Sequence, residues 1–585
     1  MRHEFKDDPM KIHANPVWKA GSRQFMSLKA PTSLLLDKDK EFLAFGYDAE
    51  NQYAEVLLDG EKDDHYYFHR FKMNLHNNKN ITADMILEDV TGKPLTAIQV
   101  FKLSIKFLVD HLLETLDKQG TGVNHNEVQW VLTVPAIWRD AAKQFMRSSA
   151  EQAGIPPDKL ILALEPETAS IFCQYLPVEK LKAEKAFTMS AQGTEYMVVD
   201  LGGGTADITV HRKAANGQLI EKHRATGNDC GGTSVDKRFF KILEDIVGES
   251  TMQFLRENDP LAYLDIEREF EAVKRTVETK KKGKVNMTIP VVSLDKVCRK
   301  DHSKDFEQLV KSSKYSNEIK LLGDKMRMDA DAMRNIFKPS IDKIISLLKE
   351  VLSNRHTKGI SHFLMVGFSE CQLIHDAVKQ EFPKKRIITP EDAGMCVLKG
   401  AVLFGHNPTY IKSRIMRFSY GVKTSLPFDD RKFDRKHLVV MDGEERCDNI
   451  FSVIVSKDES VEAGTKIKRS YFTPYKHQDK MDFMIYISDD YNPAYVDDES
   501  CNLLCKPTIT FTDTCEETKW VDVEYVFGNT EIGITAVDRN SGKEISAKFN
   551  LIEPYQTNRL FFVRRIWFYK FFTAYYFNLE KKDHG

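Results

Sequence analysis

The chain has 585 residues, 42% of them hydrophobic and 29% charged, with 84 Lys+Arg against 86 Asp+Glu for a formal net charge of −2. That length exceeds the roughly 250–300 residues at which single cores stop growing, and the composition excludes global disorder. The near-balance of charge argues against a dedicated nucleic-acid binder, which carries a basic excess.

Residues 1–30 are irregular and polar, and MRHEFKDDPMKIH lacks the apolar stretch of a secretory signal. Strand-like and helical runs then alternate: strand 33–36, helix 101–118, strand 130–134 and helix 140–153. Such alternation predicts parallel sheets covered by helices. In the first helix Ile105, Leu108, Leu112 and Leu116 recur with the period of one buried face. In the second, Asp140 caps the start while Gly154 and Pro156 stop it. A strand–turn–strand follows at 196–210, then charged helices around 235–280 and 328–354, an apolar strand at 363–366 and a helix near 371–381. From about 412 the texture changes to short alternating runs such as 451–455, 484–487, 508–511 and 531–537, which predict an all-β module. Leu560–Leu579 is long enough to suggest a membrane span, but Arg564, Arg565 and Lys570 lie within it, each costing about 2.5–3.5 kcal/mol at the bilayer centre. It reads as an aromatic-basic tail, interfacial, partner-binding or buried, and not as a span. The nine cysteines are scattered and form no zinc-ribbon spacing, as expected for free thiols in a reducing cytosol.

Four segments carry chemistry. In Tyr196-Met-Val-Val-Asp200-Leu-Gly202-Gly203-Gly204-Thr205-Ala-Asp207, an apolar strand ends in a carboxylate, three glycines turn the chain, and a second strand leaves. Glycines let backbone N–H groups approach an anion, Thr205 adds a hydroxyl, and Asp200 and Asp207 could hold Mg²⁺ through water or orient an attacking water. Glu165, fixed by Pro166 at a helix entrance, could join that network, although first-turn glutamates commonly serve the helix dipole. Glu271, Lys274 and Arg275 share nearly one helix face, where a solvated stripe of ion pairs is the plainer reading. Val366-Gly367-Phe368-Ser369 is a strand-to-helix glycine turn of the kind that accepts a nucleotide.

In this order, with the β module behind them, these segments resemble the 70-kDa heat-shock proteins of the actin-like ATPase superfamily. Lys29-Ala-Pro-Thr32, Phe71-Lys72-Met73, Leu132-Thr-Val-Pro-Ala-Ile-Trp138 and Lys399-Gly-Ala-Val-Leu-Phe-Gly405 are similar to the divergent branch called heat shock 70 kDa protein 12A and 12B. The resemblance implies a two-lobed, ribonuclease-H-like α/β domain around a cleft, then a small, mostly β domain. Its lobes would span 1–190 and 191–408, the β-rich domain 409–552 and the tail 553–585. It implies ATP and Mg²⁺ as ligands. Asp200 to Thr205 would form a phosphate loop and Asp207 its trailing aspartate. Glu165 and Lys72 would serve the metal, water and γ-phosphate network. Glu271, Lys274, Arg275, Gly367 and Ser369 would hold adenosine. Protein clients or signalling partners would use the β-rich domain.

Two departures qualify the resemblance. Residues 1–40 contain no Asp-x-Gly-Thr-Thr, the family's first phosphate loop, so the chain reads as truncated at its N-terminus. Gly367 runs directly into Phe368, where the family has a second glycine and where a ring could fill nucleotide space. Charge-assisted hydrogen bonds contribute about 1.5–3 kcal/mol each, so losing two or three of them would weaken ATP binding by about 3–9 kcal/mol, a hundredfold or more. The expectation is a cytoplasmic, ATP-binding, chaperone-like protein with impaired hydrolysis. The alternative is a pseudo-ATPase acting as an interaction scaffold.

Overall fold

The computed structural model describes residues 12–13, 17–19, 26–76, 78, 80–176, 189, 191–280, 282–441, 443–473, 480–511, 519–539, 542 and 544–545, so the tail lies outside the described residues. In the first lobe, β1 (Ser33–Leu36), β2 (Phe42–Phe45) and β3 (Tyr66–His69) form an antiparallel sheet in the order β2-β1-β3. Then come α1 (Ala97–Lys118), β4 (Trp130–Val134), α2 (Asp140–Gln152), β5 (Leu160–Leu164) and α3 (Glu165–Cys173). β4 and β5 pair in parallel, Trp130 opposite Leu160 through Val134 opposite Leu164, as a separate two-stranded sheet.

Two local expectations change here. Ile105 is buried in the first-lobe core, whereas Leu108 and Leu112 are 45% and 38% exposed. Periodicity marks an apolar face and does not report what covers it. Asp140 does not cap α2; Arg139 holds the N-cap position without a side-chain bond. The Asp140 carboxylate instead meets Lys143 at 3.3 Å and accepts the Tyr420 hydroxyl at 2.8 Å, because β-domain contacts compete for it.

The second lobe contains β6 (Glu195–Leu201), β7 (Ala206–Lys213), β8 (Leu219–Asn228), α4 (Gly232–Val247), α5 (Pro260–Lys274), β9 (His362–Gly367), α6 (Gln372–Glu381), β10 (Arg386–Ile388) and α7 (Cys396–His406). With β11 (Ile411–Ile415) and Ser460–Glu462 they form a sheet ordered β10-β9-β6-β7-β8-β11-(460–462). The middle of β6, Tyr196–Val199, is apolar because both its faces are covered. Tyr196 and Val198 pack in a core with α3 and α7 residues, and Met197 and Val199 in one with the helix Ala330–Ser353. α7 follows the second lobe in sequence yet lies along α3, so closely that a Cβ on Gly400 would fall 1.7 Å from the Thr168 carbonyl oxygen.

The β-rich region comprises β12 (Ser419–Pro427), β13 (Glu444–Val455), β14 (Thr465–Phe472), β15 (Trp520–Phe527), β16 (Gly533–Asp538) and shorter strands. They make a five-stranded sheet containing β12 and β13 and a four-stranded sheet containing β14, β15 and β16. Tyr420, Val422 and Ile487 of the first pack with Val521, Val523 and Tyr525 of the second. This region is docked on the lobes: β11 runs parallel to β8, and Arg147 of α2 reaches both Glu531 carboxylate oxygens at 2.6 Å. No helix among the described residues is long and apolar enough to cross a membrane.

Candidate functional site

The β6–β7 ladder places Asp200 directly opposite Asp207, with Leu201 opposite Ala206 and the glycine turn beyond. Within the turn the Gly202 N–H donates to the Thr205 carbonyl at 2.7 Å. The turn is stitched to the start of α4: N–H groups of Gly231, Gly232 and Thr233 donate to the carbonyls of Gly204, Gly202 and Gly203 at 3.1, 3.3 and 2.7 Å. A Cβ on Gly204 would lie 2.0 Å from the Met73 sulfur, whereas one on Gly203 would meet nothing within 4 Å. The open side of the loop is therefore at Gly203.

β9 lies parallel to β6 with Gly367 opposite Leu201. Gly367 has φ 73°, and a Cβ there would fall 2.3 Å from the Leu201 carbonyl oxygen and 3.0 Å from Asp200 Oδ1. Only glycine permits that approach, which brings the 367–369 turn beside the Gly202–Thr205 turn. Ser369 is buried and its hydroxyl has no partner. Phe368 packs against both second-lobe cores.

From the first lobe, Lys72 Nζ donates to Glu165 Oε1 at 2.9 Å and lies 5.5 Å from the centre of the Trp138 ring. The Ile137 N–H donates to Asp207 Oδ1 at 3.3 Å, tying the Pro135–Trp138 turn to the second lobe. Burial, then the charge of Glu165, pushes Asp200 up to about 7, opposed by Lys29 and Lys72. Burial, then Glu165 and Asp200, raises Asp207 well above the usual carboxylate range. Lys72, Glu165, Asp200, Asp207 and the glycine loop thus converge.

Glu271, Lys274 and Arg275, expected to hold adenosine, are committed to the protein itself. Lys274 is buried and meets Asp236 at 2.6 Å and Glu271 at 2.5 Å, while Arg275 pairs with Glu271 at 2.6 Å. Asp236 also receives Arg70 from the first lobe at 2.9 Å, so the two lobes are joined across the cleft. Arg70 and Asp236 carried no motif; the one signal was the place of Arg70 two residues before Lys72. Glu167 and Arg414 were equally silent. The Arg414 guanidinium grips both Glu167 oxygens at 2.7 Å and also donates to the Gly528 carbonyl, while the Ile415 N–H donates to Glu221 at 2.8 Å. Burial, then the charge of Glu167, pushes Glu221 up to about 8.

A family model described as Hsp70 protein matches residues 64–322. Heat shock 70 kDa protein 12A of Mus musculus and of Homo sapiens are each 32% identical to the chain, over 94% of this chain and 89% of the relative. The chain belongs to the Hsp70 family. Heat shock 70 kDa protein 12B of Homo sapiens is 30% identical over 94% of this chain and 88% of that protein. The two lobes are the family's actin-like ATPase fold, and the β-rich region follows them.

The residues present fit a nucleotide in part. The orphaned Ser369 hydroxyl and the open Gly203 are a donor and a cradle with nothing of the protein's own to fill them. Among the described residues no group of three or more His, Cys, Asp or Glu could hold a metal ion. Mg²⁺ would therefore depend on water and phosphate oxygens beside Asp200 and Asp207. Its charge would offset three neighbouring carboxylates alongside Lys29 and Lys72.

Proposed function

We propose that this Hsp70-family protein binds Mg²⁺-ATP weakly in the cleft and uses the nucleotide to bias docking of its β-rich region, a chaperone-like role with impaired hydrolysis. The observation that carries this reading is the convergence of the Gly202–Thr205 turn, Asp200, Asp207, Glu165 and Lys72. Gly203 would present backbone N–H groups to phosphate, Lys72 would meet its outer oxygens, and Asp200 and Asp207 would hold water around the metal. Bound Mg²⁺ would supply charge neutralisation at the transferring phosphate.

The described cleft has one glycine phosphate loop, and each missing preorganised donor costs about 10²–10³ in rate. Hydrolysis is accordingly slow. Coupling to the β-rich region is supported by α3, whose first turn sends Glu165 to Lys72 and Glu167 to Arg414 of β11. Clients or signalling partners would meet the β-rich region. Arg70–Asp236 joins the two lobes, and Arg414–Glu167 joins α3 to β11.

A second reading, a pseudo-ATPase scaffold, is favoured by Lys274 being bound to Asp236 and Glu271 and by Met73 resting on Gly204. Calorimetric titration with Mg²⁺-ATP of the unmodified chain, Asp200→Ala and Gly203→Ala separates the two. Heat lost in both variants supports nucleotide binding. No heat in folded protein leaves the scaffold.

A further inference from the structure

The two sides of the glycine turn offer a ligand different things. At Gly203 a Cβ would meet nothing within 4 Å, so the backbone there is open to an anion. Glu165, Asp200 and Asp207 gather beside the turn with Lys29 and Lys72, a setting for a metal-bound phosphate.

The wall made by α4, α5 and the 367–369 turn is occupied by the protein itself. A Cβ on Gly232 would stand 3.8 Å from Lys274 Nζ and 4.0 Å from Phe368 Cδ1, so the ammonium and the ring both sit against the start of α4. Phe368 is anchored there by packing into both second-lobe cores. Lys274, buried, is held by Asp236 at 2.6 Å and Glu271 at 2.5 Å. Arg275 reaches the same Glu271 oxygen with two nitrogens, at 2.9 and 2.6 Å. From the first lobe, Arg70 meets Asp236 at 2.9 Å. The result is one continuous chain of charges, Arg70–Asp236–Lys274–Glu271–Arg275, spanning the cleft. Arg70 holds its place with φ 55°, a left-handed conformation that a non-glycine residue keeps only where its surroundings dictate it.

A ribose and base laid along this wall would have to open that chain. Separating a buried pair leaves an uncompensated charge behind, so the nucleoside would lose more than it gained. Ser369 adds an orphaned hydroxyl here. A single hydroxyl donates to adenine, guanine or a phosphate oxygen alike, whereas discrimination between bases needs several fixed polar groups that only the right base satisfies.

We propose that the cleft reads only the phosphate end of its ligand: the recognised group is a Mg²⁺-bound chain of three phosphates, and the nucleoside, whatever its base, stays outside the Arg70–Asp236–Lys274 chain. This rests on the phosphate site of the proposed function and narrows what that site selects. ATP is then one of several equivalent ligands, beside other nucleoside triphosphates and inorganic tripolyphosphate. Weak ATP binding follows, because ribose and base add no contacts to those of the phosphates.

Calorimetric titration of the full chain with the Mg²⁺ complexes of ATP, GTP, UTP and tripolyphosphate, at one ionic strength, tests this. The three nucleotides should agree within about threefold, and tripolyphosphate should bind no more weakly than they do. Gly203→Ala, with its thermal unfolding unchanged, should weaken all four about tenfold or more. ATP bound about tenfold or more tighter than GTP, UTP or tripolyphosphate would overturn the proposal and leave ATP binding itself standing. Tripolyphosphate binding untouched by Gly203→Ala would also overturn it, since the anion would then lie elsewhere. No heat from any of the four in folded protein would remove the phosphate site, and with it both this proposal and the ATP-binding reading.

Discussion

The two lobes face the same cleft but bring different amounts of structure to it. In the second lobe a seven-stranded sheet holds Asp200, Asp207 and Gly367 at the ends of adjacent strands, with helices on both faces. In the first, among the described residues, β4 and β5 stand as a pair, and Leu108 and Leu112 of α1 are exposed. The glycine turn is positioned by the strands beside it, so the second lobe keeps it formed. The first lobe contributes mainly side chains, Lys72 and Glu165, delivered from a short turn and a helix start.

The contrast can be broken most forcefully where both lobes and the β-rich region meet. Arg414→Ala leaves Glu167 buried without its cation, and should cost about 3–5 kcal/mol. Denaturant unfolding would measure it, and Arg414→Met/Glu167→Met should recover most of the loss. A pair of glycines in the second lobe gives the next effect. Gly367→Ala forces a Cβ into the Leu201 carbonyl at φ 73° and should cost about 2–3 kcal/mol, while Gly203→Ala, with open space around it, should unfold like the unmodified chain.

The third effect depends on pH. Below the ordinary Asp value of 3.8 both folded and unfolded chains keep the Asp200 proton. Between 3.8 and about 7 the folded chain alone keeps it, so this group makes stability fall as pH rises, levelling above about 7. Asp200→Asn should therefore raise the thermal midpoint at pH 8 and leave it unchanged below pH 4. Smallest, Glu531→Ala removes a partly exposed pair with Arg147 and should cost about 1 kcal/mol or less, measured by the same unfolding series.

Which parts were legible in sequence follows the same division. The 196–210 strand–turn–strand and the Gly367 turn could be read because each lies in one contiguous stretch, whereas the two lobes came from the family resemblance. The face of α1 was read as buried because periodicity reports an apolar stripe and not what covers it. Asp140 was read as a cap because its competitor, Tyr420, is distant in sequence. Arg70–Asp236 and Glu167–Arg414 are ion pairs between remote segments of ordinary composition, which no local pattern announces. That Lys274 is bound by Asp236 rather than free for a ligand is likewise a tertiary fact.

The most direct test of the central claim is calorimetric titration of the unmodified chain with Mg²⁺-ATP, with Gly203→Ala beside it. The account predicts binding weaker than about micromolar, abolished in Gly203→Ala while thermal unfolding of that variant is unchanged. No heat up to about millimolar ATP in folded protein would contradict it and leave the cleft a structural frame for interactions. Binding at about micromolar or tighter would instead contradict the claim that the site is weakened.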